Sequence, residues 1–132
     1  MQKSSAEAQA FLAARDFLLA QRSSYETAFA NFRWPSLDWF NWALDYFDAM
    51  ALGNERPALR IVRDDGSDRS YSFDELRDRS NRVANALRQL GARRGARLLL
   101  MLPNAVQTWE TIRACMKLGV VTGPATRQAT PA

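Results

Sequence analysis

Histidine is absent from these 132 residues, and cysteine occurs once. Without histidine, the chain's own side chains can build no Ser–His or Cys–His nucleophilic pair and no histidine-rich metal site. A single thiol closes no internal disulfide. Cys115 falls in an apolar helical run, where a small buried side chain is expected and a reactive thiolate is not. Lysine is almost as scarce: of 18 basic residues only Lys3 and Lys117 are lysines. That bias, with abundant alanine, hints at a GC-rich bacterial genome and says nothing of function. The six glycines are scattered, so neither G-x-G-x-x-G nor G-x-x-x-x-G-K-[ST] occurs, and no backbone N–H cradle for phosphate is written into the chain. No apolar run is long enough to span a bilayer, and Arg15 and Asp16 interrupt the first one before it could act as a secretory h-region. A cytoplasmic protein with no membrane span is the expectation.

What is present is the composition of a soluble globular chain of one-domain length, 47% apolar and 24% charged, with a net charge of +4. The positive charge is concentrated: residues 53–97 carry eleven arginines against seven acids. Most of these arginines stand beside Asp or Glu, as in Asp74-Glu75-Arg77-Asp78-Arg79, the pattern of a solvated helix face with local ion pairs. Only Arg93-Arg94 is a bare cluster, too short for a nucleic-acid stripe, so no nucleic-acid partner is expected.

Along the chain, Ser4-x-x-Glu7 fits a capping box, and Ala8, Phe11, Leu12, Leu18 and Leu19 recur at helical spacing to about Gln21. Tyr25 to Met50 is dense in aromatics. Past Pro35, a helix is expected to begin near Ser36 or Asp38, with Phe40, Ala43, Leu44, Phe47 and Ala51 on one face and Gly53 as its left-handed cap. The aromatic belt suits either docking on the body of the domain or contact with a membrane or a partner groove, the first being the plainer account. Pro57–Val62, a turn at Asp64-Asp65-Gly66-Ser67 and a return through Arg69–Tyr71 predict a β-hairpin.

Ser72-Phe73-Asp74-Glu75 is a second capping box, with Tyr71 and Leu76 placed as a hydrophobic staple. Leu76, Ser80, Val83, Ala84, Leu87 and Leu90 then form a thin inner stripe before Gly91. The run Arg97–Leu102, closed by Pro103, reads as a central strand covered on both faces. Asn104-x-x-Gln107 can cap a helix that buries Val106, Trp109, Ile112, Cys115 and Met116, and Val120-Val121 opens the next strand. This is a βαβ unit. The closing TGPATRQATPA is expected to be loop. Asp64, Asp65 and Asp68 share a turn tip but lack EF-hand spacing, so no metal is assigned to them.

The order FNWALDYFD, PALRIV, YSFDELRDRSNRVANALRQLGARRG, LLLMLPN, WETIRACMKLG and PAT resembles the N-terminus of the AMP-forming acyl-CoA synthetases, nearest the acetyl-CoA-synthetase-like and medium-chain branch of the adenylate-forming superfamily. The resemblance covers about residues 29–131. It implies an α/β fold: an incomplete first N-terminal subdomain (residues 29–132) of N-terminal helices, a β-hairpin and a βαβ unit, behind a helical extension (residues 1–28). It further implies a parent reaction in fatty acid metabolism, in which a carboxylic acid and ATP give an acyl-adenylate with Mg²⁺ on the pyrophosphate, and coenzyme A then displaces AMP. The family's phosphate loop, nucleotide-binding motifs and catalytic lysine follow this region. No residue of this chain therefore takes a catalytic, cofactor-binding or metal-binding role, and the chain is expected to bind no cofactor and to be inactive alone. As partners the reading leaves the remainder of a synthetase, or self-association through an exposed sheet edge. Ala96, Val120 and Thr122-Gly123 depart from the family pattern, and a glycine and a polar residue weaken the expected last strand.

Overall fold

The computed structural model describes residues 6–125. The chain divides into two compact units, Met1–Asn41 and Trp42–Ala132. Among the described residues no helix is long and apolar enough to cross a membrane.

In the first unit, helix α1 (Ala6–Ala20) follows the predicted periodicity, while its Ser4 cap lies outside the described residues. A short helix, α2 (Tyr25–Asn31), comes next, which the aromatic density did not announce. The rings of this unit pair with one another: Phe11 with Phe40 at 4.9 Å, Phe17 with Phe32 at 6.2 Å, Tyr25 with Phe29 at 5.8 Å and Phe32 edge-on to Trp34 at 5.0 Å. Trp34 and Trp39 nevertheless remain exposed.

The second unit opens on a correction. No helix begins at Ser36 or Asp38; a π-helical turn starts at Trp42 (Trp42–Phe47) and continues into α3 (Asp48–Ala51). Phe40 is engaged in its stack on Phe11, and Leu44 is exposed, so neither joins the inward face. The i, i+5 spacing of a π-turn lays the Trp42 ring on that of Phe47 (5.6 Å between centroids, 26° between planes), which a tighter α-turn would offset. Ala43, Phe47 and Ala51 are buried as expected, and Gly53 takes a φ of +66°.

Strands β1 (Pro57–Val62) and β2 (Asp68–Ser72) form the predicted antiparallel hairpin, with Leu59 opposite Tyr71 and Ile61 opposite Arg69. Helix α4 (Phe73–Gln89) is capped as read: Ser72 Oγ accepts from the Glu75 N–H at 3.1 Å, and the staple residues Tyr71 and Leu76 are both buried. Its inner stripe narrows to Leu76, Ser80 and Ala84, while Leu90 is exposed. Phe47, Ala51, Tyr71, Leu76 and Val106 form the core cluster, joining the π-turn, the hairpin and helices α3, α4 and α5.

Strand β3 spans only Arg97–Leu100 and pairs in parallel with β4 (Val121–Pro124), Leu98 lying opposite Thr122 and Leu99 opposite Gly123. Two expectations fail here. The segment Thr122–Pro124 is strand, not loop. Its backbone ladder with β3 supplies what its side chains do not. Nor is the apolar run covered on both faces: Leu99 is 69% exposed, and Met101, Leu102 and Val121 are open with it.

Helix α5 (Val106–Leu118) connects the two strands and ends on Gly119 at φ +67°. Asn104 does not cap it. Ala105 occupies the cap position in an extended conformation with no side-chain bond, and the Thr108 hydroxyl instead donates to the Pro103 carbonyl at 2.7 Å. A Cβ on Gly119 would lie 3.0 Å from Arg94 Cγ in a left-handed conformation. Gly119→Ala is expected to cost about 1–2 kcal/mol, the left-handed penalty for an L-residue, read as a lowered urea midpoint at unchanged slope.

Candidate functional site

Helices α4 and α5 lie against each other across small side chains, and their contact holds charge that the apolar pattern concealed. Arg79 Nε donates to Glu110 Oε2 at 2.7 Å, with the Glu110 side chain buried. Lys117, its side chain 4% exposed, reaches Asp48 Oδ1 of α3 at 2.8 Å and Asn81 Oδ1 of α4 at 2.6 Å. Val106, Glu110, Ala114 and Lys117 recur at spacings of four, four and three and constitute the buried face of α5 together with Cys115. Trp109 and Met116, expected inside, are substantially exposed. Helical spacing did carry this signal. It was missed because an acid and a lysine are ordinarily assigned to solvent.

The neighbouring charges are handled locally. Arg77 pairs with Asp78 at 2.6 Å and Asp74 at 2.9 Å. Its hydrogen bond to Asp78, followed by the charges of Asp78, Asp74 and Asp48, strengthens the guanidinium's hold on its proton. Arg113 stands over the Phe47 ring at 4.7 Å and donates to the Trp109 carbonyl at 3.2 Å, and burial pushes its pKa down. At the hairpin tip, hydrogen bonds from the Ser67 side chain and backbone hold the Asp65 carboxyl below the usual carboxylate range.

Between the hairpin and the start of α5 lies a cavity of 550 Å³, lined among others by Arg63, Arg69, Tyr71, Arg79, Asn104 and Gln107. The Arg69 and Arg79 guanidiniums sit over the Tyr71 ring at 4.8 and 5.5 Å. Nothing in the sequence motifs pointed to this convergence, because its members come from four elements.

Among the described residues no three His, Cys, Asp or Glu side chains gather where a cation could be held. The positive-φ glycines, Gly53, Gly66, Gly91, Gly95 and Gly119, serve single turns and helix ends and never follow one another in a phosphate cradle. Cys115 is fully buried, so it offers no accessible nucleophile either.

The topology that carries these groups has known counterparts. The model of the family described as "AMP-binding enzyme" matches residues 47–132, beginning inside the π-turn and running through β4. The chain belongs to the AMP-binding enzyme family. Mitochondrial acyl-coenzyme A synthetase ACSM5 of Rattus norvegicus is 36% identical over 103 residues, covering 73% of this chain and 18% of that protein. The human mitochondrial relative ACSM3 is 31% identical over 115 residues, 82% of this chain and 20% of its own length. Among solved structures, the Brucella canis acyl-CoA synthetase superposes with a TM-score of 0.72 at 26% identity, covering 81% of this chain and 21% of that one. A benzoate CoA ligase from Burkholderia xenovorans gives a TM-score of 0.58 at 30% identity, covering 70% and 18%. The adenylate-forming ligase fold expected from the motif order is therefore the fold of this AMP-binding family member. The chain spans about a fifth of the length of the curated relatives it matches.

Proposed function

We propose that this chain is the opening scaffold of an ATP-dependent, AMP-forming carboxylic acid–CoA ligase, and that these 132 residues catalyse neither half-reaction unaided. The observation that carries this reading is the family match over a segment whose buried polar groups are engaged in ion pairs between helices and whose glycines cradle no phosphate. The segment contributes position: α5 packs on one side of the β3–β4 pair, and the other side, around Leu99, Met101 and Val121, is apolar and open. Parallel strands are normally covered on both faces. The open face is where further layers of the ligase fold dock, and the same surface favours self-association when nothing covers it.

The test is acid-dependent pyrophosphate release from the purified chain with ATP, Mg²⁺ and a panel of short, medium-chain and aromatic acids. No release above the no-acid background is expected with any of them. Sustained turnover by the chain alone would overturn the reading.

A further inference from the structure

The cavity beside the hairpin has no part in the ligase reading, yet its wall is unusual for a scaffold. Arg63 follows β1, Arg69 lies on β2 and Arg79 on α4, and all three converge on one space of 550 Å³ with the amides of Asn104 and Gln107, against Asp64 as the one acid of the wall. One of these guanidiniums is held by a hydrogen bond, and a second has a carboxylate near it. Glu110 takes Nε of Arg79 at 2.7 Å, and Glu75 lies 3.7 Å from Arg69. Both cations also rest on the Tyr71 ring, which is buried. A guanidinium carries five N–H donors, so the single carboxylate contact on Arg79 leaves it further donors in a fixed orientation. The Arg63 guanidinium makes a long 3.4 Å contact to Ser67 Oγ and lies near the Asp65 carboxylate.

We propose that this cavity binds a small phosphorylated organic anion. Three guanidiniums from separate elements match the several oxygens of a phosphate better than the two of a carboxylate, and each can engage a pair of them. The volume lies within the 300–1,000 Å³ typical of small-molecule sites and exceeds what inorganic phosphate fills. Ile61 and Val62 offer an apolar wall for the body that carries the phosphate. The proposal concerns binding alone and is independent of any ligase turnover.

The experiment is a titration of the ¹⁵N-labelled 132-residue chain with phenyl phosphate, with inorganic pyrophosphate in a parallel arm and sodium chloride at matched ionic strength as the control. Saturable shifts are expected at the amides of Arg69 and Gln107 and at Arg79 Nε, tighter for phenyl phosphate than for pyrophosphate because only the former uses the apolar wall. The Arg63→Gln/Arg69→Gln variant should weaken binding at least about tenfold, the loss of one charge-assisted contact. Gln107→Glu sets a carboxylate at the rim, disturbs no side-chain bond of the fold, and should weaken binding similarly. It decides the matter if the double variant does not fold. Absence of saturable shifts, equal shifts at Arg93 and Arg94, or wild-type affinity in Gln107→Glu would each sink the proposal. Pyrophosphate binding as tight as phenyl phosphate would overturn the organic-ligand part.

Discussion

Replacing Phe47 by alanine is expected to destabilise the Trp42–Pro124 unit by about 3–5 kcal/mol, the range for emptying an aromatic site in a packed core. Phe47 is 2% exposed and lies where the elements of this unit meet. Its ring stacks on Trp42 at 5.6 Å, faces Phe73 at 6.3 Å and carries the Arg113 guanidinium at 4.7 Å. It also belongs to the cluster of Ala51, Tyr71, Leu76 and Val106. Alanine would remove the surface on which these groups rest and leave the half-buried cation without its aromatic face. The surroundings cannot easily collapse into the space, because Ala43 and Ala51 on the same face are already small and fully buried. Domain stabilities are typically about 5–15 kcal/mol, so such a loss approaches the whole margin. Urea unfolding followed by circular dichroism measures it. A midpoint shift equivalent to less than about 1 kcal/mol would mean that the core does not centre on this ring.

The contrast between Phe47 and its neighbours shows what the chain order discloses. Its inward direction was legible because Ala43, Phe47 and Ala51 repeat every four residues. The π-turn that carries the first part of this face was not legible, since a one-residue widening changes hydrogen bonding without changing composition. Ser72 and Glu75 announced the start of α4, and the structure places the cap there, because capping depends on four adjacent residues only. Asn104 announced the start of α5 and was wrong by the same reasoning. Two positions could begin the helix, and the backbone at Ala105 became extended while Thr108 bonded back to Pro103. Thr122–Pro124 has poor strand propensity, yet it forms β4 because the β3 ladder is available to pair with it.

The candidate site divides along the same line. That the chain carries no phosphate loop could be read directly, since such a loop is a contiguous motif. The arginine-lined cavity could not, because Arg63, Arg69, Arg79 and Gln107 meet only after the hairpin has folded toward α5. The open side of β3 was misjudged for a related reason. Five consecutive apolar residues, Leu98–Leu102, state that a strand is to be covered on both faces, but not by which layers. Leu99 is 69% exposed and Met101 46%, so this side of β3 is largely open within these residues. That difference between the run's composition and its exposure is the strongest structural support for the docking role proposed for this face.

Lys117→Met should cost about 3–5 kcal/mol, although lysine and methionine have similar bulk and the change removes one charge from a basic protein. The ammonium bridges three elements, reaching Asp48 on α3 at 2.8 Å and Asn81 on α4 at 2.6 Å from its own position on α5. Methionine preserves the stem's packing but leaves the Asp48 carboxylate, only 21% exposed, without its ammonium, and Asn81 without its donor. The cost of the single change is thus mainly the stranded carboxylate rather than the loss of an intrinsically strong bond. Removing both charges tests this directly. In Lys117→Met/Asp48→Ala no buried charge is left over, so the double variant should be more stable than Lys117→Met alone, with a coupling energy of about 1–3 kcal/mol in the cycle. Chemical denaturation of the four proteins gives the cycle. If the two losses simply add, the pair is not the unit that ties α3 to α5, and apolar burial such as that of Ala51, Ala114 and Cys115 would have to supply that link instead.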